Sequence, residues 1–131
     1  MASCEAVCVD PAKVNEIWPH VASQIQRAVG KTGNVAFEEI EQAVLTGGAQ
    51  LWLAWDGAEI MGVAVTRLYS SICEIWACGG RGLLLWRDLI RRLEDFGRAE
   101  GCERMRIVGR KGWARVLKDY WSPYIILEKR L

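Results

Sequence analysis

The sequence lacks most of the features that announce a chemistry. It has a single histidine, His20, which follows Pro19, and no serine or cysteine in a recognisable nucleophile context, so a Ser–His or Cys–His triad is not expected. We read His20 as a surface or cap residue. Neither sign of charge is in excess: 17 Lys+Arg stand against 16 Asp+Glu, leaving no overall field to draw the chain to nucleic acid or to an anionic membrane. No uninterrupted apolar run reaches membrane-spanning length, and the first residues carry no basic stretch followed by an apolar one, so a soluble, cytoplasmic protein is expected. Repeats, low-complexity tracts and linkers are missing too, and 131 residues with 51% hydrophobic content suit one domain, residues 1–131, with a core of its own. The five cysteines are odd in number, and neither Cys4 and Cys8 nor Cys73 and Cys78 has the two-residue gap of a zinc knuckle. A reducing setting and no metal site are expected.

What is present is an ordered alternation of elements. Glu5 to Val9 reads as a first strand, and Asp10-Pro11 as an N-cap with proline at the first helical position. Val14, Ile17, Trp18, Val21, Ile25 and Val29 then recur at helical spacing; Pro19 is expected to kink or split this helix and Gly30 to end it. Asn34 can cap a second helix carrying Phe37, Ile40, Val44 and Leu45, stopped by Gly47-Gly48. Ala49 to Trp55 and Glu59 to Leu68 flank Asp56-Gly57, a dipeptide suited to a hairpin turn with positive φ.

The stretch from Ile72 to Trp113 is the most informative. Ile72 to Ala77 is a buried strand by composition, Cys78-Gly79-Gly80-Arg81-Gly82 a glycine loop, and Leu83 onward an amphipathic helix with Trp86, Leu89, Ile90, Leu93 and Phe96 on one stripe. Asp88 with Arg92 and Glu94 with Arg98 are its expected helix-face pairs. A helix that starts just after a glycine loop aims unpaired N–H groups and its positive dipole end at that loop, which suits an anion; a plain strand-to-helix turn has the same sequence. Cys102 to Val108 is a further strand, Gly109 to Gly112 opens a short helix through Tyr120, and Tyr124 to Leu131 is expected as a last strand after Pro123. Arg104, Arg106, Arg110, Lys111, Arg115 and Lys118 surround Trp113. Such a cluster binds phosphate, an adenosine or a nucleic-acid backbone, or it is a solvated face around one core tryptophan. Of the seven tryptophans, Trp18, Trp52, Trp55 and Trp76 fall on core faces.

The resulting order β-α-α-β-β-β-α-β-α-β, with the hairpin Leu51 to Thr66, the Arg81-Gly82 start of the long helix and Gly101-Cys102 beyond it, resembles the GNAT N-acetyltransferase superfamily over nearly the whole chain. The resemblance implies an α/β (α+β) fold with a mixed, mostly antiparallel central sheet of six to seven strands flanked by about four helices. It also implies acetyl-CoA as acyl donor and an unidentified amine, on a small molecule or a protein, as acceptor. The family's pyrophosphate motif, Gln/Arg-x-x-Gly-x-Gly/Ala, falls on Arg81-Gly82-Leu83-Leu84-Leu85-Trp86, where Arg81 matches and Leu84 and Trp86 replace the two glycines. The implied cofactor-binding residues are Trp76, Ala77, Gly79, Gly80, Arg81, Gly82 and Arg110. Glu74 is the implied base for the amine, and Tyr120, close to Arg115 at the family's usual tyrosine position, the implied acid for the departing thiolate. Ala77-Cys78-Gly79-Gly80 and Gly109-Arg110-Lys111-Gly112-Trp113 are also similar to short GNAT-like proteins of tailed bacteriophages and prophages. That similarity implies an alternative: a catalytically inactive, GNAT-fold binding or virion-associated protein with a protein partner.

Overall fold

The computed structural model describes residues 4–33, 35–80 and 83–131. A five-stranded sheet, in sequence order from edge to edge, is formed by β1 (Glu5–Cys8), β2 (Gln50–Trp55), β3 (Ile60–Tyr69), β4 (Ile72–Gly80) and β5 (Arg104–Ile107). The first three pairings are antiparallel and the β4–β5 pairing is parallel, because a crossover helix, α3 (Leu83–Ala99), connects those two strands. Helices α1 (Val14–Thr32) and α2 (Phe37–Leu45) follow β1, and a short α4 (Gly112–Val116) follows β5.

Each face of the sheet carries its own core. Trp18, Val21, Ile25 and Val29 of α1 and Ile40 and Val44 of α2 are buried against Leu51, Leu53, Val63, Val65 and Trp76. On the opposite face Trp86, Leu89, Ile90 and Leu93 of α3 meet Trp52, Ala54, Ala64 and Ile75. The alternation along β2 and β3 therefore serves two helical layers, and at roughly 1.5–3 kcal/mol for each large apolar side chain buried, these layers account for the strong patterning of the sequence. Trp52 carries a polar group into this core and satisfies it: its Nε1–H donates to Thr66 Oγ1 at 2.9 Å, and that hydroxyl donates to Gln50 Oε1 at 2.8 Å.

Several expectations are met and others are corrected. Asp10 accepts from Ala12 N at 2.9 Å and starts a 3-10 turn, Pro11–Lys13, that runs into α1. The hairpin turns at Asp56-Gly57, with Gly57 at φ 98° and Asp56 Oδ1 accepting from Ala58 N and Glu59 N, both at 2.8 Å. Helix α1 is not split at Pro19, which sits inside it; burial of Trp18 and Val21 on either side holds the segment helical despite the missing donor. Nor does it end at Gly30. It runs on to Thr32, and Gly33 closes it in the left-handed region, its N–H donating to Val29 O at 2.8 Å. The Asn34 cap lies outside the described residues. On α3 the ion pairs join Arg87 to Asp88 and Arg98 to Asp95, while Arg92, expected beside Asp88, lies 5.1 Å over the Trp52 ring.

Two corrections bear on function. The sheet has five strands among the described residues rather than six to seven: residues 124–131 take no strand conformation and are exposed, so no packing offsets the entropy of ordering them. And β4 is longer than expected, because Cys78, Gly79 and Gly80 continue the strand opposite Ala64, Val63 and Gly62 instead of forming a loop.

Candidate functional site

The extended β4 creates a parting of the sheet. It pairs with β5 only from Ile72 opposite Arg104 to Ile75 opposite Ile107. Beyond that point Ala77 to Gly80 keep β3 on one side and, among the described residues, have no strand on the other. A bulge sits at the parting: Val65 pairs with Ala77 and Thr66 with Ile75, which makes Trp76 the extra residue. Bulges bend a strand and redirect a side chain, and here both Trp76 and Ala77 join the α1-side core.

The space so opened is a cleft between β4, the segment after β5 and the last turns of α1. Trp76 to Gly80 form one wall, Val108, Gly109, Arg110 and Trp113 the other, and Gln24, Arg27 and Lys31 the α1 side. Its cavity volume is about 140 Å³, small beside the roughly 300–1,000 Å³ of a typical drug-sized ligand pocket, so it fits a slender arm with the rest of a ligand lying over its rim. Three cations line it, Arg27, Lys31 and Arg110, and none of its described lining residues is acidic, a balance that favours an anion. The indole of Trp76 also carries a buried Nε1–H with no hydrogen-bond partner among the described residues, which is uncommon for a buried polar atom in a folded protein.

The two glycines of the wall are there for packing. A Cβ on Gly79 would lie 2.5 Å from the main-chain oxygen of Gln24, and one on Gly80, where φ is 102°, would lie 2.6 Å from Gly62 Cα. Helix α1, β3 and β4 thus approach backbone to backbone. The other expected cofactor residues of this region, Arg81 and Gly82, lie outside the described residues. Leu84 and Trp86, which occupy the family's glycine positions, do not line the cleft: Leu84 is 62% exposed, and Trp86 is buried in the α3-side core with Nε1 3.4 Å from Gly79 O. Cys78 lines the cleft, and burial pushes its thiol up to about 12, against a smaller opposing effect of the Arg110 guanidinium. It is a protonated thiol at neutral pH, not a nucleophile.

Glu74 and Tyr120 are not brought together. Glu74 is buried on β4 beside the parting, with Oε1 2.7 Å from Arg67 Nε and Oε2 accepting from the Tyr69 hydroxyl at 2.7 Å. Arg106 donates to that hydroxyl at 3.1 Å, and the Arg67 guanidinium lies 4.0 Å over the Trp76 ring. A charge on a strand can face water; this one is enclosed and fully partnered. Tyr120 lies in a different hollow, of about 220 Å³, with Glu94, Gly97, Cys102, Met105 and Trp121. Its hydroxyl donates to Glu94 Oε2 at 2.6 Å, and burial, with that bond and the neighbouring carboxylate, pushes its pKa above the usual phenol range.

Sequence reasoning missed Gln24, Arg27 and Lys31 as cleft residues. Their spacing of three and four places them on one helical stripe, but only the tertiary fold says that the stripe ends over β4. No cluster of metal-ligating side chains occurs among the described residues, and none of their helices is long and apolar enough to cross a membrane.

Comparison with solved structures decides what the architecture is. The chain aligns with a predicted acetyltransferase from Clostridium acetobutylicum solved with acetyl-CoA, at TM-score 0.65 and 13% identity over 97% of this chain and 96% of that one. A GNAT family acetyltransferase from Staphylococcus aureus aligns at TM-score 0.60 and 12% identity over 98% and 99%. The fold is that of the GNAT acetyltransferases. An aminoglycoside N-acetyltransferase in complex with CoA aligns likewise, at TM-score 0.63 and 14% identity over 99% and 96%. No family model matches the sequence, and no curated protein matches it by sequence. At these identities the likeness is one of fold.

Proposed function

We propose that the chain is an acetyl-CoA-dependent N-acetyltransferase whose donor lies in the cleft between β4 and β5. The observation that carries this reading is the cleft itself, a cationic, acid-free slot opened by a strand parting and a bulge in a fold whose solved neighbours include proteins holding CoA and acetyl-CoA. The residues fit the donor. Ala77, Gly79 and Gly80 give a low wall for the slender pantetheine arm, and Arg110, Arg27 and Lys31 suit its phosphates. We extend the pyrophosphate site to Arg81 and Gly82 on the strength of the sequence motif.

In the reaction the acceptor nitrogen attacks the thioester carbonyl, the N–C bond forms, the C–S bond breaks, and the amine's proton leaves while the thiolate takes one up. We assign the amine's proton to Glu74, passed through the Tyr69 hydroxyl that already donates to it. Tyr120 takes no part in this scheme, because it lines the other hollow and is engaged by Glu94; the thiolate is protonated from solvent. The acceptor is an amine on a small molecule or a protein, and the site of action the cytoplasm.

A second reading is favoured by one observation, the bulky Leu84 and Trp86 at the family's glycine positions: a GNAT-fold protein of phage origin, virion-associated or otherwise, that binds without turnover. Titration calorimetry with acetyl-CoA separates the two from the outset. Binding that weakens at least ten-fold in Arg110→Glu, where a cleft cation becomes an anion, is expected; no heat at millimolar ligand overturns the donor site. Binding without release of free thiol in the presence of an amine panel would favour the second reading.

A further inference from the structure

A charged row of side chains runs across the sheet just before it parts. Arg67 of β3, Glu74 of β4 and Arg106 of β5 are successive partners in register, so they share one face. The next pair along, Ile75 and Ile107, already lines the cleft. Trp76 belongs to both places: it lines the cleft, and the Arg67 guanidinium lies 4.0 Å over its ring. The row therefore stands at the lip of the donor cleft, where an acceptor must present its nitrogen.

The charges of this row do not cancel. Its one carboxylate, Glu74, has a side chain only 4% exposed and is bonded to Arg67 Nε and the Tyr69 hydroxyl, both at 2.7 Å. Arg106 makes no ion pair among the described residues, and both guanidiniums are half-buried rather than lost in solvent. Aromatic faces fix them. Arg67 lies 5.0 Å over the Tyr69 ring as well as over Trp76, and Arg106 lies 5.9 Å from the rings of both Tyr69 and Tyr124. A guanidinium ordered in this way has little freedom left to lose when it binds. Among the described residues a single N–H of each is hydrogen-bonded, Arg67 Nε to Glu74 and Arg106 Nη1 to the Tyr69 hydroxyl. The remaining N–H groups suit the forked grip of a carboxylate or phosphate.

We propose that the acceptor is a small amine carrying a carboxylate or phosphate on a short spacer, its anion held by Arg106 and Arg67 and its nitrogen turned into the cleft. This substrate class rests on the acetyl-transfer reading above. The spacer is short because the row lies one strand residue, roughly 3.3 Å, from the pair that lines the cleft. The amine nitrogen attacks the thioester carbon, the N–C bond forms and the C–S bond breaks. One proton leaves the nitrogen and one is taken up by the sulfur, so the products are the N-acetylated anion and the coenzyme A thiol. The same row disfavours polycationic amines, since its surplus charge is positive and its carboxylate is enclosed.

The test is titration calorimetry of O-phosphoethanolamine, β-alanine, ethanolamine and putrescine into the chain, with and without saturating coenzyme A, and with acetyl-CoA binding measured alongside. We expect at least one of the two anionic amines to bind ten-fold or more tighter than ethanolamine, with putrescine weakest; the tighter of the two tells phosphate from carboxylate. Arg106→Gln leaves Arg67 on Glu74 and so strands no buried charge. It should weaken the anionic amines at least ten-fold and erase the preference. Acetyl-CoA binding with no discrimination among the amines, or a preference that survives Arg106→Gln, overturns this proposal and leaves the donor site standing. Anionic amines that bind and are lost in Arg106→Gln, without any binding of acetyl-CoA, uphold the anion grip and overturn the transfer reading. Inorganic phosphate binding as tightly as O-phosphoethanolamine would show that the nitrogen is not recognised and overturn the amine, and silence from every ligand overturns both readings.

Discussion

The two hollows beside β5 are built from similar material and prepared for different things. The cleft at its exit is lined by three cations and no described carboxylate. The hollow at its entry holds Glu94, Glu103 and Asp119 along with Arg98 and Arg104, and its one hydroxyl, that of Tyr120, is already bonded to Glu94. Both hollows carry titratable side chains, and the contrast lies in their balance: the cleft's are all of one sign, while the other hollow mixes signs and bonds its hydroxyl internally.

The largest effect that tests this contrast is on Cys78. With its thiol pushed up to about 12 from an ordinary 9.0, it carries about a thousand-fold less thiolate at neutral pH than an unperturbed thiol. Alkylation of the folded chain with iodoacetamide, followed by mass spectrometry of the peptide bearing Cys78, is expected to be slow and to keep accelerating with pH past 9; a plateau near 9 would show the wall of the cleft to be wet. Arg110→Ala removes the one charge that favours the thiolate and slows the reaction further. The sign carries over to stability. Folding raises this pKa, so the thiol's contribution is fully present below about pH 9 and is lost as pH rises toward about 12.

Next in size is the cost of closing the glycine wall. Gly79→Ala places a Cβ 2.5 Å from the Gln24 main-chain oxygen, and since neither a helix backbone nor a central strand yields easily, a loss of about 2–3 kcal/mol is expected in chemical denaturation. Gly30→Ala, in the same α1 but with nothing within 4 Å of the new methyl, should instead stabilise by about 0.5–1 kcal/mol through helix propensity. Equal effects at the two positions would mean that α1 does not press on β4 as described.

How much of this could be read from the chain alone follows the same division. The α1 stripe, the α3 stripe and the Asp56-Gly57 hairpin were legible because burial imposes a period of 3.6 or 2 on the residues, and the tertiary structure asks for nothing that contradicts it. The glycine run at Cys78 to Gly80 was misjudged as a loop because glycine reports only that a side chain is forbidden; whether a ligand or a neighbouring backbone forbids it depends on where α1 lands. Tyr124 to Leu131 has the composition of a strand, yet composition cannot supply the partner that a strand needs. The sequence offers Glu74 as a base and Trp76 as a cofactor contact, but the bulge at Trp76 and the Arg67–Tyr69 enclosure of Glu74 arise from pairing with β3, 5 to 10 residues away across a turn.

The smallest effect concerns the hollow at the entry of β5. Tyr120→Phe keeps the ring, which packs against the α3-side core, and deletes only the hydroxyl that donates to Glu94 at 2.6 Å. Glu94 is partly exposed and water can replace the lost donor, so the cost should be about 1.5 kcal/mol, at the low end for a hydrogen bond to a charged acceptor. The heat of acetyl-CoA binding should be unchanged, because nothing connects this bond to the cleft. The variant also has a pH signature. Folding raises the pKa of Tyr120, so its contribution to stability is present below the ordinary phenol value and fades as alkali is added; the gap in stability between the natural chain and Tyr120→Phe should therefore shrink at high pH. A gap that instead grew with pH, or a loss of acetyl-CoA binding, would mean that the two hollows communicate and that their polar groups belong to one site.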